Sequence, residues 1–209
     1  MHHVVLIGDS IFDNGPYVEK GDSVLEVLSE MLKESAKVTL LAVDGDVTTD
    51  VPLRLEPFPD DVTHAFVSCG GNDALRIINI LNQSVSSVGD ALESLVEVRE
   101  IFRVNYTNML RAISDKVEKL TVCTVYNSVP GTSDRALAAL ALFNEIILEE
   151  AVALRLPIID LRCICLEDED YSAVSPIEPS GQGARKISKV ITYALSNHNY
   201  ESKVSAVYI

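Results

Sequence analysis

Two polar turns carry the residues of this chain best suited to chemistry. The first is Gly8-Asp9-Ser10, which closes the apolar run Val4-Val5-Leu6-Ile7. The second is Gly70-Gly71-Asn72-Asp73, which closes a run from Thr63 to Cys69. A serine hydroxyl is a poor nucleophile until a base takes its proton. An asparagine amide can donate hydrogen bonds to an oxyanion, or it can simply cap the helix that follows. Ser10 is the candidate reactive or contacting centre, and Asn72 a candidate stabiliser of charge. Asp9 is expected to brace its turn through backbone N–H groups.

The surrounding elements decide whether these turns can meet. Val4 to Ile7, rich in β-branched residues, reads as a strand buried on both faces. Further strands are expected at Lys37–Val43, Thr63–Cys69, Leu120–Tyr126 and Pro157–Asp160. Helices are expected at about 23–35, in two pieces over 74–118 broken near Ser84–Gly89, at 134–155, and from Gly183 to Asn197. Strand–helix alternation predicts an α/β fold of three layers, with a five-stranded parallel sheet in the order 2-1-3-4-5. In that flavodoxin-like order the switch point lies between strands one and three. Those are the strands that end in the two polar turns. A loop of about 20 residues, carrying the acidic run Glu167 to Asp170, separates the last strand from the last helix. Loops this long inside a domain are usually functional. His2 and His3 read as a frayed end. The tail 198–209 reads as peripheral, its Ser205–Ile209 stretch being either a short extra strand or a partner-facing segment.

Composition narrows the function. The chain has 209 residues, 47% apolar and 23% charged, which fits one domain over 1–209. A net charge of −14 repels phosphate backbones and anionic membranes, so neither nucleic acid nor membrane is an expected partner. No basic-then-apolar leader is present, and Cys69, Cys123, Cys163 and Cys165 lack CxxC spacing. Buried free thiols in a cytoplasmic setting are expected. No HxH, HExxH or cysteine quartet points to a metal. Asp9, Asp13 and Glu178 could hold a hard cation, but nothing in their spacing requires one. A flavodoxin-like cofactor binder is disfavoured, because Asp9 and Asp13 would repel a phosphate and no GxGxxG or GxxxxGK is present.

The ordered blocks resemble those of the SGNH, or GDSL-type, serine hydrolases. Gly8-Asp9-Ser10, Gly45 within Asp44-Gly45-Asp46, and Gly70-Gly71-Asn72-Asp73 match three family blocks after three successive strands. The resemblance implies that Ser10 is a nucleophile. It also implies that the N–H groups of Ser10 and Gly45 and the amide of Asn72 form an oxyanion hole. The fourth block departs. In Ser175-Pro176-Ile177-Glu178-Pro179, Ser175 stands where the family has aspartate and Glu178 where it has the basic histidine.

A base weaker by about two pKa units forfeits up to roughly 3 kcal/mol of proton-transfer driving force. Desolvation of a glutamate restores part of that. A carboxylate base has no ring N–H to orient, so Ser175 is expected to aid Glu178 by donating a hydrogen bond. His64, at the start of the third strand, and His198, after the last helix, lie at the wrong places to serve. The resemblance thus implies an esterase- or lipase-like hydrolase of small esters that needs no cofactor. The alternative is a binding protein on the same scaffold without a working base. Self-association is left open.

Overall fold

The computed structural model describes all 209 residues. Strand β1 (His2–Gly8) forms because its run Val4 to Ile7 can bury every side chain. It pairs in parallel with β2 (Ala36–Leu40) on one side and β3 (His64–Ser68) on the other. β4 (Leu120–Cys123), β5 (Ile158–Ile159) and β6 (Val207–Tyr208) complete an all-parallel sheet of order β2-β1-β3-β4-β5-β6. The expected five strands are present in their expected order. The sixth corrects the count: Ile158 N–H donates to the Ala206 carbonyl at 2.8 Å, and Asp160 N–H to Tyr208 at 2.9 Å.

Alternation along β1 splits the core in two. Val4 and Leu6 face α1 (Val24–Leu32) and α5 (Gly181–Asn197), where Leu28, Ile187 and Ile191 pack. Val5 and Ile7 face α3 (Val88–Ser114) and α4 (Asp134–Ala153), with Tyr106, Met109, Leu110 and Ile146. Each such fully buried side chain contributes about 1.5–3 kcal/mol of transfer free energy. The short α2 (Gly71–Arg76) follows β3 directly, and a 3-10 turn at Ile78–Asn82 separates it from α3. The region read as two helical pieces is therefore three.

Two other expectations are corrected. His3 is buried rather than frayed: its Nδ1 lies 2.6 Å from Asp61 and its Nε2 2.8 Å from Thr39. Cys163 is exposed, whereas Cys69, Cys123 and Cys165 are buried free thiols.

The sheet's upper edge is fixed by close backbone contact. Gly8 has φ +125°, and a Cβ there would stand 1.8 Å from the Ser68 carbonyl oxygen. Only glycine lets β1 and β3 end side by side. The loop before α5 is pinned in the same way, since a Cβ on Gly183 would stand 2.2 Å from the Asp170 carbonyl oxygen. The Ser180 hydroxyl caps α5 by accepting from the N–H groups of Gln182 and Gly183. Lys186 reaches the buried Asp170 carboxylate at 2.8 Å.

Candidate active site

Ser10 sits two residues past the end of β1 in a tight turn. The Asp9 carbonyl accepts the N–H groups of Phe12 and Asp13, each at 3.1 Å. The Asp9 carboxylate accepts the Ile11 N–H at 3.1 Å, so it does brace the turn. Ser10 is 6% exposed.

Asn72 lies in the first turn of α2, and its side chain does not cap that helix; Gly70 holds the capping position. Instead, Nδ2 of Asn72 donates to the Asp46 carbonyl at 3.0 Å, which ties it to the loop after β2. A second N–H of the amide remains for another acceptor. That loop is rigid on its own account. Arg54 grips the Asp46 carboxylate at 2.8 and 3.0 Å, and Asp73 accepts the Thr48 N–H and hydroxyl at 3.1 and 2.6 Å. Gly45 occupies the loop's left-handed position, φ +83°. The backbone N–H groups of Ser10 and Gly45 have no partner in the chain.

Glu178 is 3% exposed, against the usual fate of a loop glutamate. Burial pushes its pKa up to about 7, the carboxylates of Asp44 and Asp13 push the same way, and the Ser10 hydroxyl pulls it down. The Ser10 contact is loose, and Oε2 of Glu178 is buried without any hydrogen-bond partner. Catalytic hydrogen bonds are often long in a free enzyme and tighten around substrate. Asp9 is pushed higher, to about 8, chiefly by burial, with Glu178 and Asp73 adding repulsion. Asp9 therefore keeps its proton near neutrality, and Glu178 is the first of the two to ionise.

Ser175 does not fulfil its expected role. Its carbonyl accepts the Glu178 N–H at 3.0 Å, but its half-buried hydroxyl makes no hydrogen bond to the Glu178 carboxyl. The two residues are joined through the backbone, which closes a turn. No imidazole approaches the site. His64 bonds Thr63 at the far end of β3, where burial pushes its pKa down to about 4. His198 bonds the Tyr208 hydroxyl at 2.9 Å.

Sequence reasoning missed the residues that bring Glu178 home. Asn14 is fully buried; its amide donates to the Pro179 carbonyl at 2.9 Å and accepts the Val24 N–H at 2.8 Å. The Tyr126 hydroxyl donates to the Ile177 carbonyl at 2.5 Å. The Ser172 N–H donates to the Glu178 carbonyl at 2.8 Å, and its hydroxyl to Tyr17 at 2.5 Å. In the sequence, Asn14-Gly15-Pro16 marks a break in the chain and carries no signal of this clamp.

Asp9, Ser10, Asn72 and Glu178 line a cavity of about 380 Å³. Gly45 does not line it and joins the site through the Asn72 to Asp46 tether. The rest of the lining is largely apolar, with Leu75, Ile78 and Leu81 from α2 and the 3-10 turn after it, and Leu137, Leu140 and Phe143 from α4. Such a chamber suits a hydrocarbon chain, with the polar groups gathered where that chain would meet Ser10.

Comparison with known proteins gives the family and the fold. Residues 6–186 match the model of the GDSL-like lipase/acylhydrolase family. The fold is similar to that of a lipase/acylhydrolase from Enterococcus faecalis, 21% identical, TM-score 0.69, covering 93% of this chain and 95% of that one. It is also similar to the lipase Lip_vut3 from a goat rumen metagenome, 20% identical, TM-score 0.71, covering 93% and 97%. LAE5, an alpha/beta hydrolase from a Lake Arreo metagenome, is 16% identical with TM-score 0.71 over 95% and 96%. No curated protein sequence matches the chain.

Proposed function

Because this chain belongs to the GDSL-like lipase/acylhydrolase family, we propose that it hydrolyses esters of apolar acids, with Ser10 as nucleophile and Glu178 as base. The observation that carries this reading is that Ser10 and the buried Glu178 line one cavity; burial pushes the pKa of that carboxyl up to about 7. That value matches imidazole, near 6.5, so burial restores the basicity that the exchange of histidine for glutamate removed.

The steps follow from the positions. The acyl chain enters the apolar chamber and its carbonyl carbon comes to Ser10. Ionised Glu178 takes the hydroxyl proton as Oγ bonds to that carbon. The carbonyl π pair moves to oxygen, where the N–H groups of Ser10 and Gly45 and the free N–H of Asn72 can receive it. Collapse expels the alkoxide, which takes its proton from Glu178. Water then gives a proton to Glu178 and attacks the acyl-serine; Ser10 leaves as an alkoxide and recovers that proton. Base and acid are one carboxyl throughout, so no aspartate partner is needed.

Wild type and Ser10→Ala assayed on an activated butyrate ester test the reading. Loss of release in the variant supports it. Equal rates overturn it. A wild type that binds the ester without cleaving it leaves the site as a binding site, the alternative that the missing imidazole favours.

A further inference from the structure

The apolar chamber leaves a second surface beside Ser10 unexplained. The turn after β1 and the loop after β2 bring Asp13, Tyr17 and Asp44 together there. The Asp13 carboxylate accepts the Asp44 N–H at 3.0 Å, and the Tyr17 hydroxyl donates to the Asp44 carboxylate at 2.6 Å. Asp13 closes the same turn as Ser10, its N–H donating to the Asp9 carbonyl, and Ser172 ties the Tyr17 carbonyl to the Glu178 carbonyl, so this acidic surface flanks the Glu178 loop; both acids also push the Glu178 pKa up. None of the chain's ion pairs includes Asp9, Asp13, Asp44 or Glu178. Independently of the charges, Glu178 is 97% buried and its Oε2 has no partner. A buried polar atom left unpaired in a native fold calls for an explanation, and a ligand is one.

We propose, resting on the reading of Ser10 as an esterase nucleophile, that the rim of Asp13, Tyr17, Asp44 and Glu178 receives a cationic group on the alcohol half of the substrate. The preferred substrate is then an ester joining an apolar acid to a cationic alcohol. The carboxylates attract the cation, and the half-buried Tyr17 ring adds a cation–π surface. The chain's net charge of −14 draws cations toward the mouth. A cation seated there also favours the ionised form of Glu178, the form that takes the Ser10 proton.

Butyrylcholine and its neutral isostere, with carbon in place of the quaternary nitrogen, separate this proposal from the reading beneath it. Acid release is followed by titration at constant pH. The expected kcat/KM is about tenfold or more higher for the choline ester. The ratio falls toward one in Asp13→Asn combined with Asp44→Asn. It also shrinks with added salt in the wild type, a second readout should the double variant fail to fold. Equal rates on the two esters, or a preference that salt does not move, overturn the cation rim while hydrolysis at Ser10 stands. If neither ester is cleaved, the hydrolytic reading fails, and calorimetry with Ser10→Ala decides the rim alone. Tighter binding of butyrylcholine than of the isostere supports it, and equal or absent binding overturns it.

Discussion

Glu178 gives its backbone N–H to the carbonyl of Ser175 at 3.0 Å and receives nothing from that residue's hydroxyl. The pair thus shapes the loop without sharing the proton chemistry. Ser175→Ala should leave ester hydrolysis within about twofold of wild type, as expected for a surface change away from special features. Glu178→Gln keeps the volume and loses the base, and should lower kcat by roughly 100- to 10,000-fold. Steady-state kinetics on an activated ester distinguish the two. A large loss in Ser175→Ala would return that hydroxyl to the mechanism.

Asn72 gives one amide N–H to the Asp46 carbonyl and lines the same cavity as Ser10. Asn72→Ala should lower kcat by roughly 100- to 1,000-fold, the cost of one oxyanion donor, with little change in KM. A rise in KM at constant kcat would make Asn72 a ground-state binding residue instead.

Asn14 clamps the Glu178 loop to the start of α1 through two buried hydrogen bonds. Asn14→Ala orphans the Pro179 carbonyl and the Val24 N–H. The expected cost is about 2 kcal/mol, a fall in Tm of roughly 4–8 °C for a chain of this size. Because the clamp holds Glu178, kcat should fall as well. Thermal unfolding and kinetics on the same variant check both halves.

The buried carboxyls also set a pH dependence of stability. Asp9 is raised from 3.8 to about 8, and Glu178 from 4.5 to about 7. Above the unfolded values and below the folded ones, the native state binds more protons than the unfolded chain. Stability from these groups is therefore complete below about pH 4 and is lost as pH rises toward 8. Asp9→Asn removes the larger part, so its stability relative to wild type should grow from pH 4 to pH 8. Denaturant unfolding across that range measures it. A gap constant with pH would mean that Asp9 does not titrate differently on folding.

Much of this architecture can be read along the chain, because it rests on local pattern. The run Val4 to Ile7 predicts a doubly buried strand, and the strand–helix alternation predicts the parallel order. The turns at Ser10 and Asn72 follow from where the first and third strands must end. What escapes the sequence depends on contacts between distant segments. Val207 and Tyr208 lie in the tail stretch that the sequence leaves open between a short strand and a partner-facing segment, and the edge of β5 decides it. His3 is buried only because Asp61 and Thr39 come to meet it. Glu178 looks like a solvated loop residue until Asn14, Tyr126 and Ser172 fold its loop inward. The expected help from Ser175 rested on its standing where the family has aspartate, and a matched position does not say which atom of a residue meets its neighbour.

The most direct test of a carboxylate base acting on Ser10 is covalent labelling by a fluorophosphonate followed from pH 5 to pH 9. The account predicts modification at Ser10, with a rate that rises through one ionisation near 7 in wild type and becomes slow and flat in Glu178→Gln. Labelling of Ser10 at the same rate in both proteins, or a wild type that is not labelled at any pH, would contradict it.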